Sequence, residues 1–278
     1  MSYQTLLSAT RGGIATVTLN RPAARNALDT TMTDELGALF TALRRDAEVR
    51  VVVLTGAAGD FCSGGDVQQM AQNRPRTHEQ RRAGMLRYRE LAQAILAFDR
   101  PLIAALDGVA YGAGFSLALM ADIVLVSDRV RLAMVFQRIG LVPDLGALYT
   151  LPRVVGLQRA KELIFSAREI GAAEALRIGL ALEALSAEAL LPRALEIAAS
   201  FVGTSAVAMS LSKQALQASL QSDLATMLEL EASGQAIASG SEYTRESVRR
   251  FAAKEPPQFR WPVAAEAPLS ASSTDYGS

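Results

Sequence analysis

The sequence contains one cysteine, Cys62, and one histidine, His78, in 278 residues. A single cysteine excludes an internal disulfide framework. One imidazole and one thiol also supply too few side chains for a zinc site or for a Ser-His-Asp triad. We therefore expect no metal site and a surface position for His78. Cys62 could in principle act as a nucleophile, but a packing role is the simpler expectation.

An excess of charge of either sign is also absent. The 28 basic residues balance the 28 acidic ones, so the formal net charge is zero. The sequence therefore has no excess of positive charge that would indicate nucleic acid as a partner. A polyanionic ligand would have to bind at a local group of cationic side chains.

Long apolar runs are missing as well. None approaches the ~20 residues that a membrane-spanning helix needs. The first residues also lack the basic-then-apolar pattern of a signal peptide. We expect a cytoplasmic protein without membrane contact.

Hydrophobic residues, in contrast, make up 50% of the chain, enough for one large domain or a domain with an appendage. Residues 3–20 alternate as a β-hairpin with its turn at 11–13, Asp29 is typical of a helix N-cap, and 51–54 predict a strand. This alternation of strands and helices predicts an α/β sheet with helices packed against it.

The remaining chain divides into a polar segment and an alanine-rich helical part. Residues 70–85, rich in Gln and Arg, predict a mobile loop entering a helix that includes Leu86, Leu91 and Ile95. Beyond Arg153 the spacing of apolar residues predicts five helices. Their expected ranges are 157–166, 172–178, 187–202, 204–218 and 221–253.

Two glycine-rich turns each follow a predicted strand. One is Gly108–Leu119, after the apolar run 101–106, and the other is Asp60–Val67, after 49–56. Glycines allow a ligand to approach the backbone closely. Two such turns could direct one amide each at a single oxygen, which is the geometry of an oxyanion hole. A tight turn without a ligand is the alternative for either motif alone.

Three motifs in this order resemble those of the crotonase, or enoyl-CoA hydratase/isomerase, superfamily. They are Leu19–Leu28, Phe61–Asp66 and Gly108–Leu119. The resemblance implies an α/β fold, a crotonase-like spiral of repeated ββα units with a C-terminal helical trimerisation region. We accordingly expect the core in residues 1–200, the helical region in 201–260 and an irregular tail in 261–278.

The resemblance also implies where an acyl-CoA thioester would bind. The amides of Gly65 and Ala113 fall on the family's oxyanion-hole positions, which would hold the thioester oxygen. The hydratase branch of the family uses two glutamates, but Ser116 stands at the first position and the second falls near Phe136. The arrangement for adding water across a double bond is therefore absent.

Asp144, in the segment Gly140–Gly146, is the acidic residue that remains. The same Gly-x-x-Pro-Asp pattern in isomerase-like branches, among them ring-epoxide and dienoyl isomerases, carries the acid/base aspartate. Desolvation between apolar residues would raise its pKa towards the range useful for proton transfer. Two alternatives stay open: a turn or helix-cap residue, and a covalent nucleophile such as the aspartate of dehalogenase-type members.

Further substrate-binding positions follow from the resemblance. Arg25 would contact a phosphate or the adenine of coenzyme A, and Phe251 with Lys254 resembles the family's aromatic and lysine pair at the nucleotide. The alternative for this pair is an amphipathic helix end. The other expected binding positions are Ser63, Gly64, Asp66, Val67, Tyr111, Gly112 and Leu141, with the Asp66 and Asp122 carboxylates supporting loop and helix ends.

The resulting hypothesis is an isomerase that shifts a double bond, or rearranges a related acyl-CoA, with Asp144 moving the proton. We expect no cofactor apart from the coenzyme A of the substrate, and a homotrimer or a dimer of trimers. The alternatives are an enoyl-CoA hydratase in which Asp144 alone positions water, and a non-catalytic acyl-CoA-binding member.

Overall fold

A computed structural model describes residues 3–71 and 77–263 of the chain. The strands are β1 (Leu6–Arg11), β2 (Ile14–Leu19), β3 (Val51–Gly56), β4 (Leu102–Leu106), β5 (Val109–Tyr111), β6 (Ile123–Ser127), β7 (Arg131–Ala133) and β8 (Glu183–Leu185). The helices are α1 (Thr30–Arg45), α2 (Val67–Ala71), α3 (His78–Leu96), α4 (Ala113–Ala118), α5 (Ala147–Val155), α6 (Leu157–Ser166), α7 (Ala172–Arg177), α8 (Ala187–Val202), α9 (Ala206–Ser219), α10 (Leu224–Ser239) and α11 (Glu242–Ala252).

The strands form two sheets that the chain visits alternately. The first has the order β1-β2-β3-β4-β6-β8, antiparallel between β1 and β2 and parallel elsewhere, and the second pairs β5 with β7. The chain therefore leaves the first sheet at β4, enters the second at β5, and turns into α4. This repeated unit confirms the predicted α/β crotonase-like fold.

Both faces of the large sheet are covered. Side chains alternate across β3, so that Val51 and Val53 pack with α8, whereas Val52 and Leu54 face the larger core that includes α1 and α3. Burial on both faces explains why the central strands are apolar at every position rather than at every second one. Because α3 packs in the larger core, it lies on the side of the sheet where the glycine-rich turns also lie.

The N-terminal elements lie where the sequence predicts them. The hairpin turns at Gly12 and Gly13, which have φ angles of 54° and 83°. Asp29 caps α1 by accepting a hydrogen bond from the Met32 amide at 2.8 Å. Left-handed backbone at a tight turn and a carboxylate at an N-cap are both signals that sequence carries locally.

Two predictions about the middle and end of the chain are wrong. The loop expected over 70–85 is helical from His78 onwards, because Thr77 and Gln80 form a capping box with hydrogen bonds of 3.0 and 3.2 Å. Residues 72–76 of that segment lie outside the described residues. The single helix expected over 221–253 is divided into α10 and α11, because Ser241 caps a new helix after Gly240.

The last three helices, α9 to α11, form what we call the helical arm. Lys213 of α9 attaches it to the core, since its Nζ donates to Asp122 Oδ2 at 2.7 Å and to the Arg100 carbonyl at 2.9 Å. No residue of α10 or α11 is buried. The predicted domain boundaries and the trimerisation role of this region stay predictions.

The described end of the chain returns to the core. Trp261 and Phe259 pack on Phe201 of α8, with ring centroids 5.8 and 6.3 Å away. The remainder of the predicted irregular tail, residues 264–278, lies outside the described residues. Among the described helices, none alone is long and apolar enough to cross a membrane, and α8 with α9 meets those criteria only as a pair bent by 112°.

Candidate active site

The two glycine-rich turns meet at what we call the glycine junction, residues 62–66 and 108–114. A Cβ on Gly64 would lie 2.7 Å from the Tyr111 carbonyl oxygen and 3.5 Å from the Ala113 nitrogen. A side chain at Gly64 would therefore collide with backbone that cannot rotate away. The structure thus brings the predicted Gly64, Gly112 and Ala113 together, because only glycine permits this close approach.

Backbone hydrogen bonds of Cys62 hold the two turns of the junction together. Its amide donates to the Val109 carbonyl and its carbonyl accepts from the Tyr111 amide, each at 2.9 Å. A Cβ on Gly114 would lie only 2.3 Å from the Cys62 carbonyl oxygen. Burial raises the pKa of the Cys62 thiol to about 12, so the neutral thiol packs here and is a poor nucleophile.

The amides of Gly65 and Ala113 have no protein acceptor within residues 3–71 and 77–263. Their neighbours do have one: the Asp66 amide donates to Leu28 at 3.0 Å and the Gly112 amide to Ala133 at 2.9 Å. Ala113 is the first residue of α4, where an amide has no partner within the helix. Both predicted oxyanion-hole donors are therefore free to bind an oxygen from outside the chain.

Asp144 precedes α5 in a strained turn. Its neighbours Pro143 and Leu145 are buried, and Leu145 has a left-handed φ of 49°. The Asp144 Oδ1 atom is buried without a hydrogen-bond partner among the described residues. Burial raises the pKa of this carboxyl to about 7. The N-cap of α5 is Gly146 without a side-chain hydrogen bond, so the carboxylate is not a helix cap.

Tyr88 of α3 brings its hydroxyl close to Gly65. Its hydroxyl lies 3.5 Å from the position of a Cβ on Gly65, and Met70 Cε lies 2.6 Å from the same position. Burial, and then the negative charge of Asp144, raise the pKa of the Tyr88 hydroxyl. No sequence motif singles out Tyr88, although its spacing from Leu91 and Ile95 places it on the inward face of α3.

The positions of the two missing glutamates hold no acid. The Ser116 hydroxyl is buried and donates to the Gly112 carbonyl at 3.1 Å. The Phe136 ring lies against Gly112, where a Cβ would be 3.7 Å away. Ser116 therefore stabilises the first turn of α4, and Phe136 forms an apolar wall.

Two of the expected substrate-binding side chains are engaged within the protein. Ser63 Oγ donates to the Ala24 carbonyl at 3.1 Å. Asp66 Oδ2 accepts from Arg21 at 2.9 Å, while its other oxygen caps α2. Burial opposes ionisation of Asp66, but the amide of Gln69 and the guanidinium of Arg21 outweigh it and lower the pKa. Both residues shape the loop that carries Gly65.

The other expected binding residues differ in their surroundings. Val67 and Leu141 are exposed and available to a ligand. The Tyr111 ring lies against Arg131, 5.8 Å from the guanidinium carbon, and burial and Glu169 raise its pKa to about 12. Its backbone borders Gly64, whereas its hydroxyl is buried without a hydrogen-bond partner among the described residues.

The residues expected at the nucleotide are at the surface. Arg25 is 64% exposed and lies 3.6 Å from Asp60. Phe251 is 86% exposed on α11, a helix that packs on α10, and Lys254 follows it in a left-handed conformation. Contact of these residues with coenzyme A stays a prediction, as does the alternative of an amphipathic helix end.

Within the described ranges, His78 is exposed at the start of α3, as predicted. No group of three or more His, Cys, Asp or Glu side chains there is arranged to hold a metal ion. Among the described residues, the groups available for chemistry therefore include two free amides and the Tyr88 phenol at the junction, and the Asp144 carboxyl of raised pKa.

Comparison with known proteins identifies the family of this fold and site. The family described as enoyl-CoA hydratase/isomerase matches residues 9–261, so the chain belongs to it. A crystal structure of an enoyl-CoA hydratase/isomerase from Cupriavidus metallidurans is 42% identical, with a TM-score of 0.90, covering 95% of this chain and 100% of the other.

Two relatives show that the names within the family differ. A "probable enoyl-CoA hydratase" of Rhodobacter capsulatus is 38% identical over 93% of this chain and 99% of its own length. A "1,2-epoxyphenylacetyl-CoA isomerase" of Escherichia coli is 34% identical over 91% and 97%. Family membership establishes an acyl-CoA-processing protein of the hydratase/isomerase type.

Proposed function

We propose that the protein shifts a double bond in an unsaturated acyl-CoA, or rearranges a related one, with Asp144 as the single acid/base. The observation that carries this proposal is the Asp144 carboxyl, which has an unpartnered buried oxygen and a pKa raised by burial to about 7. A carboxyl that titrates near neutrality can both accept and return a proton. The lack of acids at Ser116 and Phe136 favours one carboxyl over two.

The proposed reaction begins with the thioester oxygen between the amides of Gly65 and Ala113. The Asp144 carboxylate removes a proton from the carbon next to the carbonyl of a 3-enoyl-CoA, which gives a dienolate. Each amide stabilises the developing negative charge on oxygen, with removal of one such donor costing about 2.7–4 kcal/mol in other oxyanion holes. The protonated Asp144 then returns the proton two carbons away and completes the 2-enoyl product.

The test is the reaction of purified protein with 3-enoyl-CoA and with 2-enoyl-CoA. We expect isomerisation of the first to exceed hydration of the second. Asp144→Asn should reduce isomerisation by about 100-fold or more, because the general base is lost. Unchanged turnover in this variant would remove Asp144 from the mechanism.

Hydration is the second candidate, favoured by the name of the Rhodobacter capsulatus relative. In this version Asp144 alone positions the water that adds to a 2-enoyl-CoA. Faster hydration of crotonyl-CoA than isomerisation of any 3-enoyl-CoA would support it and count against the isomerase.

We also propose that the working form is a homotrimer or a dimer of trimers. The exposed apolar side chains of the helical arm support this proposal, among them Leu224, Leu228 and Ile237, which are 73, 53 and 59% exposed. Apolar surface of this kind is a common mark of association. Sedimentation velocity of the purified protein tests it, and a monomer at all concentrations would contradict it.

A further inference from the structure

The Tyr88 hydroxyl takes no part in the proposed proton transfer. Tyr88 lies on the face of α3 that also carries the buried residues Leu91 and Ile95, and it packs against the main core. Its hydroxyl points to the glycine junction, 3.5 Å from the Cβ position of Gly65. Among residues 3–71 and 77–263 the hydroxyl has no hydrogen-bond partner. This phenol is therefore placed beside the thioester position with its donor unused.

The acidic groups around Tyr88 are Asp29, Asp66, Asp144 and the Cys62 thiol. Asp29 and Asp66 already bind Arg21, at 3.2 and 2.9 Å, and both cap helices. The thiol is buried and uncharged. Of these four groups, only Asp144 has a buried oxygen without a hydrogen-bond partner among the described residues. The free amides, the Asp144 carboxyl and the Tyr88 hydroxyl are thus polar groups that can meet a ligand.

A hydrocarbon chain that leaves the amides past Tyr88 would displace water from its hydroxyl without providing a hydrogen-bond acceptor. An oxygen on that part of the chain would accept the hydrogen bond instead. Sites that hold an unpaired donor discriminate strongly in favour of ligands that satisfy it. Burial and the nearby carboxylate also keep the phenol protonated, which makes it a donor at neutral pH.

We infer that Tyr88 is a specificity-determining residue whose hydroxyl donates a hydrogen bond to an oxygen atom that the acyl chain carries close to the thioester. The substrate class of this site is then an oxygen-bearing acyl-CoA rather than a plain hydrocarbon one. This inference rests on the proposed function, because it takes the thioester oxygen to lie at Gly65 and Ala113.

The test is calorimetric binding of 3-hydroxybutanoyl-CoA and butanoyl-CoA to the Asp144→Asn protein, in which turnover does not consume the ligand. With Tyr88 present we expect the hydroxylated ligand to bind about tenfold more tightly, the size of one hydrogen bond to a neutral donor. Adding Tyr88→Phe, which keeps the ring, should remove this preference and leave butanoyl-CoA affinity within about twofold. Tyr243→Phe, on α11, is the matched control and should retain the preference.

Three results would overturn the inference. Equal weakening of both ligands by Tyr88→Phe would mean a packing role, and an unchanged preference would mean that the hydroxyl does not contact the ligand. The third result is an unchanged preference together with a shifted pH midpoint of isomerisation in the single variant Tyr88→Phe, which retains Asp144. It would mean that the hydroxyl interacts with Asp144 rather than with the ligand. Because these titrations need no turnover, a protein that binds selectively but does not isomerise would contradict the proposed function and keep this inference.

Discussion

The glycine junction and the helical arm are two regions of one chain built on opposite principles. At the junction, backbone meets backbone, so that a Cβ on Gly114 would lie 2.3 Å from a carbonyl oxygen. In the arm, a Cβ on Gly234 of α10 would meet nothing nearer than Leu211 at 3.9 Å. The junction completes its packing within one chain, whereas the arm leaves apolar side chains exposed. Glycine is therefore required for packing at the junction, whereas a glycine of the arm can be replaced without a steric clash.

The largest expected effect is a methyl group placed in the junction. Gly114→Ala should lower the free energy of unfolding by about 3 kcal/mol, because the new Cβ meets the Cys62 carbonyl and overpacks a rigid site. Urea unfolding followed by circular dichroism measures the change.

The control for this substitution is Gly234→Ala in the arm. Alanine in an open helix position should raise the free energy of unfolding by about 0.5–1 kcal/mol, since alanine loses less backbone entropy than glycine. Equal effects of the two substitutions would contradict the contrast between the regions.

A smaller effect is expected where the arm is attached to the core. Lys213→Met should cost about 2 kcal/mol, because Asp122 loses its partner in a pair whose lysine is only 8% exposed while the aspartate remains partly solvated. Thermal unfolding of the variant is compared with that of Lys161→Met, an exposed lysine on α6. If both variants melt together, the ion pair does not hold α9 in place.

A change in stability no larger than that of Lys213→Met is expected at Asp144, the proposed acid/base. The folded pKa of Asp144 is about 7 against an ordinary value of 3.8, so ionisation opposes folding increasingly as pH rises between these values. Asp144→Asn should therefore stabilise the protein by about 1–2 kcal/mol at pH 8 and by almost nothing near pH 4. Isomerisation by the unsubstituted protein should fall about tenfold per pH unit below about 7. A pH-independent rate from pH 5 to 8 would contradict the raised pKa.

Several elements could be predicted because their signals are local. The N-cap at Asp29, the turn at Gly12 and the ranges of α6 and α8 depend on residues within a few positions of one another. The start of α3 and the division of α10 from α11 also had local caps, at Thr77 and Ser241. The polar composition of 70–85 predicts a loop and the alanine-rich composition of 221–253 predicts one helix, so composition alone does not reveal either cap.

Local patterns could not predict that the Tyr88 hydroxyl lies close to Gly65. The two residues belong to separate segments, and α3 reaches the junction only because its apolar face packs on the core. The unpartnered state of the Asp144 carboxyl similarly depends on what surrounds the turn, not on the turn itself.

The sequence by itself determined that two glycine-rich turns follow neighbouring strands, that no acid stands at positions 116 and 136, and that Asp144 is the acid available. The tertiary structure alone decided that one oxygen of this acid is buried without a partner among the described residues, that the two amides have no acceptor there, and that a phenol lies close to Gly65. The reason is physical: residue identity sets which groups exist, but solvation and hydrogen bonding depend on neighbours that only folding brings together.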